Sequence, residues 1–169
     1  MNARCQHATA RGQASITPSL AAVTADDFEA MLAIRIDALR ESLERLGRFD
    51  PARARERLAA GFAPEYMRHI VIDGERVGFI TLRPQPDSAP AVLQIDHLYI
   101  RPQHQGRQIG AWALDWAKAQ AAALGCDITL SALKQSAANR FYLRHGFVQI
   151  TESDFDVGYR WTARTEEPV

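Results

Sequence analysis

Residues 91 to 125 change their hydrophobic period from two to about 3.6 within one short stretch, and no other part of the chain restricts the fold as much. In 91–100 apolar and polar side chains alternate: Leu93 and Ile95 share one face, Gln94 and Asp96 the other. From Leu98 to Ile100 the apolar parity has changed. A slip of one residue sends every later side chain to the opposite face, so the pattern predicts a β-bulge near Asp96 and His97. From about Arg107 to Leu124 the repeat is helical, with Ile109, Trp112, Ala113, Trp116, Gln120 and Ala123 on one face and Gly125 as the stop. The loop between them, RPQHQGRQIG at 101–110, carries two glycines. Such a loop at a helix N-terminus points several unpaired backbone N–H groups at one spot. The helix dipole adds positive potential there, so the place suits a diphosphate. Glycines also serve the plain geometry of a strand-to-helix turn, and the loop alone does not decide between the two.

The flanking elements follow the same local rules. Residues 16–22 read as a short first strand. Thr24 and Asp27 predict a capping box. Behind it Phe28, Met31, Leu32, Ile36, Leu39, Leu43 and Leu46 recur at helical spacing until Gly47. Asp50 and Pro51 start a second helix to about Ala60, closed by Gly61. Two β-rich runs, 67–72 and 75–83, flank the hairpin signal Asp73-Gly74, and the three prolines of 84–90 mark a loop. After the long helix come an apolar strand at 126–133, a helix from Ala137 to His145 ended by Gly146, and strands at 147–152 and 157–163. Strands alternating with helices predict one α/β or α+β domain over 16–165 with a mixed sheet. Residues 1–15 hold Arg4 and Arg11, no acid and no following apolar stretch. They read as a flexible leader and not as a secretory signal.

Charge narrows the function without naming it. Twenty basic and twenty acidic residues cancel, so no net field draws in nucleic acid or an anionic membrane. No run approaches the roughly 18 apolar residues of a membrane span. Cys5 and Cys126 are too few for a disulfide scaffold and suggest a reducing, cytoplasmic setting. The histidines have no zinc-ligand spacing, so no metal is expected. Trp112, Trp116 and Cys126 are read as core. The four arginines of 48–57, interrupted by Asp50 and Glu56, are read as a solvated face, with steering of an anionic acceptor as the alternative.

The segment ANRFYLRHGF, 138–147, lies one strand beyond the glycine loop. Together the two resemble the GNAT N-acetyltransferase superfamily. Its phosphate loop reads (Gln/Arg)-x-x-Gly-x-(Gly/Ala); residues 105–110 fit except that Gln108 stands where glycine is usual. Its second motif reads Asn-x-x-Ala-x-x-(Phe/Leu)-Tyr-x-x-x-Gly-Phe; Ala138, Phe141, Tyr142, Gly146 and Phe147 match, and Gln135 replaces the asparagine. The resemblance implies a mixed, mostly antiparallel central sheet of about six or seven strands flanked by about four helices. It implies direct transfer of acetyl from acetyl-CoA to a primary amine on a small molecule or peptide, in a ternary complex. A non-catalytic acyl-CoA-binding module of the same fold is the alternative, kept open by Gln108 and Gln135. Relatives that pair through their C-terminal strands suggest a homodimer. The aromatics from Phe155 to Trp161 suit such an interface or the chain's own core.

The same resemblance assigns roles. Leu98, Tyr99 and Ile100 border the pantetheine, and the Leu98 N–H faces the thioester carbonyl as an oxyanion donor. Gln105, Gly106, Arg107, Gln108, Ile109, Gly110 and Ala111 form the phosphate loop, with the N–H groups of 108–111 on the diphosphate. A left-handed Gln108 would cost about 1–2 kcal/mol of strain. Gln135 and Asn139 join the cofactor site. Tyr142 is the proton donor to the departing thiolate, since a phenol and an alkyl thiol have reference pKa values within about two units. Its alternative is a core ring whose hydroxyl only bonds the sulfur. Asp96, His97 and, more remotely, Glu41 are the candidate bases. Asp96 alternatively binds a cationic amine, and His97 is alternatively a buried histidine bonded locally. Arg140 and Arg144 are read as solvated.

Overall fold

The computed structural model describes residues 16–164; the predicted leader, with Cys5, lies outside the described residues. The chain runs β1 (Ser19–Ala22), α1 (Phe28–Arg45), α2 (Pro51–Ala60), β2 (Met67–Ile72), β3 (Glu75–Pro84), β4 (Val92–Ile100), α3 (Ile109–Leu124), β5 (Asp127–Leu133), α4 (Ala138–Arg144), β6 (Val148–Glu152) and β7 (Asp156–Trp161). The seven strands make one sheet in the order β1-β2-β3-β4-β5-β7-β6. Every pairing is antiparallel except β4 with β5, whose crossover is α3. Among the described residues no helix is long and apolar enough to cross a membrane.

Local chemistry explains most boundaries. The Thr24 N–H donates to Asp27 Oδ2 at 2.8 Å, as the capping box predicts. That N–H, with His69 and Arg76, holds the Asp27 carboxyl well below the usual carboxylate range. Asp50 caps α2, accepting from the N–H groups of Ala52 and Arg53. Asp73 and Gly74 both have positive φ, which a two-residue hairpin turn between right-twisted strands requires.

Two apolar clusters flank the sheet. One packs α3 and α4 on β3, β4, β5 and β7; the other packs α1 and α2 on β2 and β3. The buried stripe of α3 is Ile109, Ala113, Leu114, Ala117 and Ala121. Trp112 and Trp116 flank it half-buried, whereas Gln120 and Ala123, expected on this face, are exposed. Cys126 is buried as expected. Of the C-terminal aromatics, Tyr159 is buried and Trp161 packs on the core, whereas Phe155 stays exposed with the Arg48 guanidinium over its ring. β6 is the sheet's edge and is exposed along its length.

Candidate active site

The pairing of β3 with β4 shifts register between Thr81 and Leu82: Thr81 faces His97, Leu82 faces Ile95, and Asp96 is the extra residue. This is the bulge that the parity change predicts. Its consequence lies on the other side of β4. The parallel ladder with β5 runs only from Val92–Asp127 to Ile95–Leu130 and then stops. β5 continues to Leu133 on β7, and β4 continues to Ile100 on β3. The two central strands therefore diverge, and residues 96–100 present a strand edge with no strand beside it. A cleft of about 1240 Å³ opens there, wider than the roughly 300–1,000 Å³ of an ordinary ligand pocket.

One mouth of the cleft is the glycine loop. The Gln105 side-chain amide donates to the Ile100 carbonyl at 2.9 Å, tying the loop to the end of β4. Gly106 and Gln108 are both left-handed, at φ 72° and 65°. Left-handed residues turn consecutive N–H groups toward one side, which is how anion-binding loops are made. Gln108 is also the N-cap of α3 and makes no side-chain cap bond, so the first helical N–H groups have no side-chain acceptor. Arg107 points elsewhere, donating to His104 Nδ1 at 3.0 Å, and does not line the cleft. The strain foreseen for a left-handed glutamine is thus present. Replacing Gln108 by glycine removes about 1–2 kcal/mol of it and adds about 0.5–1 kcal/mol of unfolded-state entropy. Gln108→Gly should raise the thermal midpoint by about 1–4 °C without weakening ligand binding. A lower midpoint in a calorimetric scan would contradict this reading of the loop.

The other walls come from β4, β5, α4, α1 and α2. Leu98, Tyr99, Ile100, Ile109, Gly110, Ala111 and Tyr142 all line the cleft, as do Asp96, His97 and Glu41. Gln135 and Asn139 do not. Gln135 is exposed and left-handed, and its carbonyl accepts from Arg45. The Asn139 amide donates to the carbonyls of Leu133 and Ser136 and accepts from the Tyr159 hydroxyl at 2.8 Å, so it ties α4 to β5 and β7. Arg144 borders the cleft and Arg140 is exposed.

Tyr142 is buried among Phe141, Phe147 and Tyr159, with ring centroids 5.3, 5.7 and 6.0 Å away. Burial pushes its phenol well above the ordinary value, so it stays protonated at any working pH. Asp96 is held by Arg83 through a two-pronged contact. His97 is 7% exposed and shares a 3.1 Å hydrogen bond with the Thr81 hydroxyl through Nδ1. Burial, and then the Arg35 guanidinium, bring it down to about 4. Of the two readings of His97, the buried, locally bonded histidine describes its surroundings, and as a candidate base it is a neutral imidazole and a weak one.

This depression has a sign. The unfolded chain binds a proton near pH 6.5 that the folded chain refuses until about pH 4, so stability rises with pH across that window and is lost as pH falls through it. The size is about 3 kcal/mol. In urea unfolding at pH 4 and pH 7, His97→Gln should shrink the difference between the two values by about that amount. An unchanged difference would show that His97 is not the group responsible.

Residues 28–147 match the Acetyltransferase (GNAT) family. The chain is 31% identical over 132 residues to an aminoalkylphosphonate N-acetyltransferase of Salmonella typhimurium, covering 75% of this chain and 82% of that protein. Among solved structures, a PaiA N-acetyltransferase from Thermoplasma acidophilum in complex with coenzyme A superposes with a TM-score of 0.69 at 15% identity, over 86% of this chain and 99% of that one. The ribosomal-protein-S18-alanine N-acetyltransferase from Escherichia coli does so with a TM-score of 0.65 at 14% identity, over 89% and 97%. The two superpositions speak to the fold.

Proposed function

The chain belongs to the GNAT acetyltransferase family and is an N-acetyltransferase with acetyl-CoA as cosubstrate, and from that premise we propose that it moves acetyl directly onto the primary amine of a small acceptor bound beside acetyl-CoA. The observation that carries this reading is the divergence of β4 from β5 after Ile95. It leaves a free strand edge, a proton donor and two candidate proton acceptors around one cleft with room for both substrates.

The residues present fit acetyl-CoA. Backbone N–H groups of 108–111 suit its diphosphate, and the edge of 98–100 suits an extended amide-bearing arm. When bound, acetyl-CoA supplies the activated acyl carbon. The Leu98 N–H takes the charge that develops on the carbonyl oxygen. Asp96, balanced by Arg83, orients the amine. His97 Nε2, the nitrogen not engaged by Thr81, accepts the proton that nitrogen sheds as it bonds carbon; at that stage the N–H is acidic enough for a weak base. Tyr142 delivers a proton to sulfur as the C–S bond breaks. One N–C bond forms, one C–S bond breaks, one proton leaves nitrogen and one reaches sulfur. Glu41, exposed on α1, carries none of these steps.

The acceptor named for the Salmonella relative makes an aminoalkylphosphonate the first amine to try. The purified chain with acetyl-CoA and 1-aminoethylphosphonate should release free thiol in step with N-acetylated product, read by a thiol reagent and mass spectrometry. Binding of acetyl-CoA with no amine-dependent thiol release across a panel of amines would return the protein to the binding-module reading.

A further inference from the structure

Arg35 lies on α1 and is 6% exposed, yet it borders the cleft. Its Nη1 donates to the Ala54 carbonyl at 3.1 Å, and its Cζ sits 5.7 Å from the centre of the Tyr99 ring. Its Nε is buried with no hydrogen-bond partner. Among the described residues none of the ion pairs includes it. Of the carboxylates lining the cleft, Asp96 is committed to Arg83 and Asp50 to the first N–H groups of α2, and neither Glu41 nor Asp156 pairs with Arg35. A guanidinium taken out of water without a counter-charge is costly, and the cost persists only where something offsets it. Ala54 does not, because a carbonyl inside α2 already accepts a helical bond and gains little from a second donor. Arg53 and Arg57 also border the cleft from α2.

We propose that Arg35 is the receptor for an anionic group on the amine acceptor, a phosphonate, phosphate monoester or carboxylate, and so selects acidic amines over neutral ones. The proposal rests on the acetyl-transfer reading of the cleft. A planar fork whose Nε–H has no partner matches an oxyanion, which accepts from the guanidinium and supplies the missing charge in one contact. Arg35 lies beside Tyr99 and Ala54, between β4 and α2, and so belongs to the amine's side of the cleft; the diphosphate side is the α3 N-terminus.

The test uses 1-aminoethylphosphonate, alanine and ethylamine, which share a skeleton and differ in the anion. With saturating acetyl-CoA, kcat/KM for at least one acid should exceed that for ethylamine by about 100-fold. Arg35→Met should collapse that ratio to within a few-fold through KM, and Arg35→Lys should restore part of it. The ratio of phosphonate to alanine then tells which anion is the natural one. The Arg35→Met protein should melt no lower than the unaltered one, since it sheds an uncompensated buried charge. Ethylamine turned over as well as both acids would overturn the proposal. So would an Arg35→Met protein that keeps the ratio, whatever its melting temperature. If no amine is acetylated, the acetyl-transfer reading fails by itself, and calorimetric titration with 1-aminoethylphosphonate and alanine still decides. Binding lost in Arg35→Met upholds the receptor, and no binding of either acid by the unaltered chain overturns it.

Discussion

Gly110→Glu should weaken acetyl-CoA binding by about 100- to 1,000-fold while leaving the fold intact. Gly110 is the second residue of α3 and borders the cleft where the first helical N–H groups gather. A carboxylate there meets a diphosphate at close range. Two like charges about 4 Å apart at a protein surface repel by about 4 kcal/mol, which is the upper end of the expected loss. The same carboxylate is favourable in the free protein, because a negative charge in the first turn of a helix gains about 0.3–1 kcal/mol from the dipole, and glutamate exceeds glycine in helix propensity. The two readouts should therefore move apart: calorimetric affinity falls while the thermal midpoint holds or rises. Gly110→Ala is the control. A Cβ at this position would meet the Phe141 ring at 3.5 Å, an ordinary van der Waals contact, so alanine should bind acetyl-CoA within a few-fold of the unaltered chain. If alanine and glutamate were equally damaging, packing and not charge would be the cause. If glutamate bound normally, the diphosphate would lie elsewhere.

What could be read in the sequence follows from how local each cause is. The bulge at Asp96 was legible because a parity slip is recorded in neighbouring residues. The hairpin at Asp73-Gly74 and the cap at Asp50 were legible for the same reason. The conformation of Gln108 was legible only as a condition, since a side chain does not announce its own φ; the structure supplies the positive value. The buried face of α3 was misplaced toward Gln120 and Ala123 because Ala113, Ala117 and Ala121 carry the true stripe, and alanine gives little contrast between core and surface. The termination of the β4–β5 ladder at Ile95–Leu130 joins residues 35 positions apart (130 less 95), and no local pattern encodes it.

Arg35 shows a different kind of loss. A signal was present: Met31, Arg35 and Leu39 form one i, i+4 row on α1, so a charge stands in a line of apolar residues. Reading the row for its apolar members passes over the interruption. Asn139 differs in the other direction: the structure spends its polar atoms inside the fold. Lying inside the motif segment drew it into the cofactor site, although the motif leaves its position open, whereas its amide joins α4 to Leu133, Ser136 and Tyr159. A motif places a residue in the right element without saying which way its polar atoms face.

Tyr142→Phe should lower kcat by about 100- to 1,000-fold with the KM for acetyl-CoA within a few-fold, the range expected for a lost general acid. Phenylalanine keeps the ring contacts with Phe141, Phe147 and Tyr159, so the variant should fold, and what it loses is one hydroxyl at the cleft. Burial raises the phenol, which by itself would make it a poorer acid. The departing thiolate forms in the same low-dielectric place, however, and burial raises a thiol in the same direction. The proton transfer therefore stays near balance although both partners are shifted. A thiolate that departs without a proton donor is a poorer leaving group, and C–S cleavage slows accordingly. The expected pH profile also follows: because Tyr142 is protonated far above neutrality, no alkaline limb from it should appear below about pH 10 in the unaltered enzyme. A Tyr142→Phe enzyme with normal kcat and a raised KM for acetyl-CoA would reduce the hydroxyl to a ligand for sulfur and leave protonation of the thiolate to water.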